Sequence, residues 1–181
     1  MVYIMKTFIV SDTHFGHAGV CKFLRDDGTK LRPWDDPNEM DEYMVDAWNK
    51  VVGKTDKVYH LGDVVINKKS LSILRRLNGD KVLVKGNHDI FKLGDYTNHF
   101  RDIRAYWVLD NMIMSHIPVH PDSKGRFRAN IHGHTHYRSV MKLDKGREVI
   151  DPWYYCVCVE HTEYAPVDFE DVREKIKNLG V

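Results

Sequence analysis

Several short apolar runs in this chain stop abruptly at residues that can bind metal or move protons. Thr7-Phe8-Ile9-Val10 runs into Ser11 and then Asp12-Thr13-His14. Lys57-Val58-Tyr59-His60-Leu61 runs into Gly62-Asp63, and Val82-Leu83-Val84 runs towards Gly86-Asn87-His88-Asp89. Met112-Ile113-Met114 ends at Ser115-His116, and Asn130-Ile131 at His132-Gly133-His134-Thr135-His136. Imidazole, carboxylate and amide oxygen suit Mn, Fe, Zn or Ni, whereas a thiolate-rich set would favour zinc or iron–sulfur. Asp12 and His14 are two residues apart, as are His134 and His136, so on an extended strand end each pair points to one side. Seven ligand-type residues are too many for one closed four-coordinate site. They suit two metals that share a carboxylate and keep positions open for water and substrate.

The elements that must position these residues are legible in outline. Short runs rich in Val and Ile read as buried strands. In a parallel-type sheet their carboxyl ends share one edge, where ligands bind. Asp36 followed by Pro37 marks a helix start, Met40, Met44, Ala47, Trp48 and Val51 recur at helical spacing, and Gly53 lies beyond the end. Ser70 to Leu77 reads as a shorter helix, and Asp168 to Leu179 as a third, acidic early and basic late. The first half alternates strand and helix, which implies a parallel sheet covered on both faces. From about Ile103 to Val159 strands dominate, implying a mixed or second sheet. Residues 18–35, 90–102 and 118–129 read as long loops, which in compact domains are usually functional or disordered.

With 43% hydrophobic and 29% charged residues, the composition is that of a globular chain with a sizeable core, not a disordered, collagenous or disulfide-framework protein. The chain is read as a single domain over 1–181. Lys+Arg 27 against Asp+Glu 26 leaves a net charge of +1, so no basic field announces nucleic acid and no polybasic patch announces a membrane. Cys21, Cys156 and Cys158 have no paired framework spacing. With no apolar run near the length of a membrane span and no targeting pattern at the start, the expected setting is a reducing cytoplasm.

The ordered set D-x-H, G-D, G-N-H-D, isolated H and G-H-x-H, spanning Asp12 to His136, resembles the calcineurin-like metallophosphoesterase superfamily, and within it the small bacterial and phage phosphoesterases. The resemblance implies an α/β fold of the four-layer αββα sandwich type, with mixed sheets, flanking helices and the metal site at strand ends. It implies that Asp12, His14 and His136 hold one divalent ion, that Asn87, His116 and His134 hold a second, and that Asp63 bridges them. Mn²⁺ is the first expectation, with Fe, Ni or Zn as alternatives. The implied reaction is hydrolysis of a phosphate mono- or diester by metal-bound hydroxide, with His88 assisting the leaving group and Asp89 orienting His88 through a hydrogen bond from its ring. Asn87 and His17 are the expected substrate contacts. The expected partner is a small phosphorylated molecule, a nucleotide among the options, and the oligomeric state is open.

After Gly62-Asp63 the chain reads Val64-Val65-Ile66-Asn67, without the Asp-Arg-Gly of the serine/threonine protein phosphatases, and it has Asp89 where they carry Glu. A phosphoprotein phosphatase is therefore disfavoured. Some superfamily members, such as the retromer subunit, keep the fold without the catalytic histidine; here His88 and every ligand position are filled. A scaffold role or a nuclease remain the alternatives. His60, His132, His99, His161, His120, Arg25, Arg32, Trp34, Lys124, Arg126 and Arg128 carry no motif, and ordinary packing or surface roles are expected of them.

Overall fold

The computed structural model describes residues 4–180. Strands β1 (Thr7–Val10), β2 (Lys57–His60), β3 (Asp80–Val84) and β4 (Asp102–Arg104) lie side by side in sequence order, all parallel. The chain returns late to add β11 (Val167–Asp168) antiparallel to β1, completing a five-stranded sheet. β5 (Tyr106–Leu109), β6 (Met112–Ser115), β7 (Asn130–His132) and β10 (Tyr154–Cys156) form a second sheet in the order β10-β7-β6-β5. There β10, β7 and β6 are parallel and β5 is antiparallel. β8 (Met141–Asp144) and β9 (Arg147–Ile150) pair as a separate hairpin.

The crossovers bury apolar stripes on one face of the first sheet. α1 (Pro37–Val51) starts where expected: the Asp36 side chain accepts from the Asn38 N–H, with Pro37 inside the first turn. Its Met40, Met44, Val45 and Trp48 pack with Phe8, Val10, Val58 and Leu83. The segment expected as a second α-helix is instead a 3-10 helix, Lys68–Arg76, whose Leu71 and Leu74 are buried. Leu71, Leu74 and Leu77 recur every three residues, and that spacing lines up on one side of a three-residue turn. Residues 90–102 contain a short helix, α2 (Leu93–Tyr96), which buries Tyr96. α3 (Phe169–Asn178) is capped by the Asp168 side chain on the Glu170 N–H.

The other face of the first sheet meets the second sheet. Ile9, Tyr59, Leu61, Val82 and Val84 pack against Met112, Met114, Ala129 and Ile131, with Phe169, Val172 and Ile176 of α3 in the same cluster. The mixed sheets and flanking helices agree with the expected architecture. The outer face of the second sheet is covered by short segments: Ile113, Trp153 and Tyr154 pack with Val119, Phe127 and Val140, next to a 3-10 helix at Pro121–Arg126. The two sheets converge at one end. There Ser11, just past β1, bridges to Cys158, just past β10, through Ser11 N to Val157 O (3.1 Å) and Val159 N to Ser11 O (3.1 Å).

Candidate metal centre

At this convergence the strand ends turn sharply and gather the chemistry. Asp12 N donates to Gly62 O (3.0 Å), His14 N to Asp63 O (3.0 Å), and Gly133 N to His116 O (2.9 Å), so four ligand-bearing loops are tied in two pairs by backbone bonds. Asp12, His14, Asp63, His134 and His136 all have positive φ, between 49° and 69°. Such conformations are uncommon for residues other than glycine and cluster at functional sites. Close approach also dictates two glycines. A Cβ on Gly133 would collide with the Ser11 hydroxyl and the Asp12 carboxylate, and one on Gly86 with Asp63.

Two clusters result, Asp12 with His14 and His136, and Asp63 with His116 and His134, each with its ligand atoms within 4.8 Å of one another. Asp63 Oδ2 lies between them, 3.6 Å from His14 Nε2 and 3.4 Å from His116 Nε2. Asn87 joins the second cluster, its Oδ1 2.8 Å from His116 Nε2. The ring of His14 stacks on that of His136 (centroids 5.4 Å apart), and His116 meets His134 edge-on (5.1 Å).

The unsatisfied atoms suit cations. Asp12 Oδ1 and both ring nitrogens of His14 are buried without hydrogen-bond partners, a costly arrangement unless something else pairs with them. The other Asp12 oxygen is saturated, accepting from Ser11 Oγ (2.6 Å), His134 N (2.8 Å) and Cys158 Sγ (3.2 Å). His116 Nδ1 is committed to Leu61 O (2.7 Å), which leaves Nε2 facing the Asn87 and Asp63 oxygens. Burial works against the charge of Asp12, but the nearby imidazoles, His14 (3.7 Å) first, then His116 and His136, hold its carboxyl well below the usual range. Burial also opposes a charge on His116, and the Asp63 carboxylate outweighs it, raising its affinity for a proton. Carboxylates held in the anionic form beside imidazole electron pairs are the donors a divalent ion would take up.

Around this centre the structure reassigns one expected residue and promotes two others. Asp89 does not orient the ring of His88. Its carboxylate is fully buried and accepts from the backbone N–H groups of Val64 (3.0 Å), Asp63 (2.9 Å) and Gly86 (2.8 Å). Three converging amide donors outcompete a side chain that points to solvent, so Asp89 locks the loop carrying Asp63. His88 is exposed, its N–H donates to Asp63 Oδ1 (2.8 Å), and its ring meets His14 edge-on at 5.5 Å. His17 is half-buried, with its centroid 5.5 Å from that of His14. Burial, helped by the nearby His14, pushes its pKa down to about 4.

Arg32, expected at the surface, is fully buried and clamps the first ligand loop. It donates through Nη2 to Asp12 O (2.5 Å), Nη1 to Thr13 O (2.8 Å) and Nε to Glu160 Oε1 (2.8 Å). The same Glu160 oxygen accepts from His136 Nδ1 (3.2 Å), which leaves Nε2 as the free nitrogen of that ring. Glu160 escaped sequence reasoning; its only trace is its place two residues beyond Cys158, itself two beyond Cys156. Lys124 pairs with Asp151 (2.6 Å) on the outer side of the second sheet, and Arg128 lies near Asp110 (4.0 Å). His60 is a packing residue: its Nε2 pairs with Thr13 Oγ1 (2.9 Å), and burial lowers its pKa to about 3. His132 is likewise buried and bonded to Gly133 O (2.8 Å).

The family model for the calcineurin-like phosphoesterase superfamily domain matches residues 5–170. An uncharacterised protein of Methanocaldococcus jannaschii is 32% identical over 176 residues, covering 91% of this chain and 88% of that protein. The gene 66 protein of Mycobacterium phage D29 is 27% identical, covering 96% of this chain and 97% of that protein. A solved structure of a protein of unknown function from Aquifex aeolicus superposes with a TM-score of 0.66 at 22% identity, over 94% of this chain and 99% of that one, a likeness of fold. The chain belongs to the calcineurin-like phosphoesterase superfamily. Among the described residues, no helix is long and apolar enough to cross a membrane.

Proposed function

We propose that this chain is a dinuclear metal-dependent phosphoesterase acting on phosphate mono- or diesters, working as a single domain in a reducing cytoplasm. The observation that carries the reading is Asp63 Oδ2 lying 3.6 Å from His14 Nε2 and 3.4 Å from His116 Nε2, between two ligand clusters, the first of which holds buried unpartnered ligand atoms on Asp12 and His14. Asp12, His14 and His136 would hold one divalent ion, Asn87, His116 and His134 the other, and Asp63 both. Mn²⁺ fits this oxygen and imidazole set, as do Fe, Ni and Zn. When bound, such ions supply Lewis acidity towards phosphoryl oxygens and lower the proton affinity of water.

The protein's own groups do the rest. His88 stands exposed at the rim of the first cluster, on the loop that also hydrogen-bonds Asp63. From there it donates a proton to the departing alkoxide oxygen, a role worth about 10²–10⁴-fold in rate. Asn87 and His17 contact substrate at the open edge of the site. Asp89 holds Asp63 and Gly86 in register, and Glu160 fixes the tautomer of His136.

The test is hydrolysis of a generic aryl phosphate by the purified protein. Activity is expected with Mn²⁺ and none with chelator. Asp63→Ala should lose metal loading, whereas His88→Ala should keep the metals and lose turnover. Metal binding with no turnover on any ester of a broad panel would favour a scaffold role, and strongly salt-dependent binding of single-stranded nucleic acid a nuclease.

A further inference from the structure

Residues 18–35 carry no motif, yet they build one wall beside the metal centre. Phe23 O accepts from Leu31 N (2.8 Å) and Arg25 N donates to Thr29 O (2.7 Å), which folds this stretch into a small hairpin. The hairpin is fastened to the residues that follow His136. Asp26 N donates to the Tyr137 hydroxyl (3.1 Å), Arg138 Nη2 reaches Asp26 Oδ1 (2.5 Å), and the guanidinium groups of Arg25 and Arg138 each lie 5.4 Å from the Tyr137 ring centroid.

Between the hairpin and residues 134–140 lies a groove of about 580 Å³. Phe23, Leu24 and Leu31 form one wall, and His134, His136 and Val140 the other. One ligand from each metal cluster therefore lines it. Phe23 and Leu24 stand 50% and 61% exposed. The Phe23 ring meets His17 edge-on at 5.7 Å, and His17 in turn lies against His14, so the apolar wall runs unbroken into the metal centre. Thr135, Arg138 and Ser139 complete the rim with polar groups. The volume falls in the range of small-molecule sites, about 300–1,000 Å³.

A phosphoryl group alone has no use for such a wall, and a simple alkyl chain has none for the polar rim. A flat ring that is apolar on its faces and polar at its edge uses both. We propose that this groove receives the leaving group of the phosphoester, and that this departing alcohol carries a heteroaromatic ring with the chemistry of a nucleobase, stacked at Phe23. The proposal rests on the phosphoesterase reading for what lies at the metal end of the groove.

The test compares a nucleoside monophosphate, an aryl phosphate and glycerol 2-phosphate on the full chain with Mn²⁺. The ring-bearing esters should have the lower KM, the nucleotide lowest if the polar rim is used. Phe23→Ala should shift the ratio of nucleotide KM to glycerol phosphate KM about 10-fold against the nucleotide, in line with the loss of one stacking partner, and Phe23→Trp should restore it. Phe23 is half-exposed, so these substitutions leave the core alone. An unchanged ratio in Phe23→Ala overturns the proposal, and a preference for aryl phosphate over nucleotide overturns the nucleobase assignment. If no ester is hydrolysed, the phosphoesterase reading fails, but the groove is still decided by titrating free adenosine into the metal-free protein by NMR. Shifts at Leu31 and Val140 that Phe23→Ala abolishes support it, and their absence in the unsubstituted protein overturns it.

Discussion

Glu160→Gln separates the ligand-positioning network from the ligands themselves. The Glu160 carboxylate is fully buried and uses one oxygen to accept from both Arg32 Nε (2.8 Å) and His136 Nδ1 (3.2 Å). Burial opposes its ionisation, but the Arg32 charge and the His136 hydrogen bond hold its pKa below the ordinary value. Glutamine keeps the shape and one acceptor oxygen and removes the counter-charge of a buried guanidinium. Breaking a buried ion pair typically costs about 3–5 kcal/mol. Arg32 retains its bonds to the Asp12 and Thr13 carbonyls, so a loss near the lower figure, about 3 kcal/mol, is expected in urea unfolding of the metal-free protein. His136 exchanges the charged acceptor that fixes its tautomer for a neutral amide oxygen, and outer partners of this kind are worth roughly 10–100-fold in metal affinity, or about 1.4–2.7 kcal/mol. The second cluster does not touch Glu160. Competition with a chelator of known affinity should therefore show one binding step weakened and the other retained. Equal weakening of both steps, or of neither, would refute the reasoning.

Other perturbations follow from the same geometry. Burial raises the Asp41 pKa to about 6 from an ordinary 3.8, despite two hydrogen bonds from Gly16 N, so the folded state binds this proton more tightly than the unfolded chain. Its contribution to stability is thus lost as pH rises from about 4 to about 6, by about 3 kcal/mol in all. Asp41→Asn should lack that decline when urea midpoints at pH 4.5 and pH 7 are compared with those of the unsubstituted protein. Gly133→Ala drives a methyl group into the Ser11–Asp12 pair and should cost about 1–3 kcal/mol. A thermal melt should register that loss, and calorimetry should show binding lost at the first site.

Much of the site was legible because its residues sit at strand ends, where apolar runs stop abruptly. Asp12, His14, Asp63, His116, His134 and His136 follow that rule, and the parallel order β1-β2-β3-β4 brings the first-sheet ends together. Asn87 was legible beside Gly86 for the same reason. Asp89 was misjudged because adjacency to His88 suggested a side-chain bond, whereas the tight loop turns three amides onto its carboxylate. Arg32 and Glu160 were hidden because Arg32 binds backbone carbonyls and Glu160, 128 residues away, while Glu160 also meets His136 from a distant loop, and neither kind of contact leaves a local pattern. The same holds for the wall formed by Phe23 and Leu24. A long stretch without periodicity gives no hint of the hairpin that Tyr137 and Arg138 fasten in place.

The central claim is that Asp63 joins two cations into one centre. Its most direct test is the metal content of the folded chain after loading with Mn²⁺ and removal of excess, with electron paramagnetic resonance to report coupling between the ions. Two Mn²⁺ per chain with exchange coupling is expected, together with loss of that coupling in Asp63→Ala. A single uncoupled ion, or full loading that survives Asp63→Ala, would contradict it.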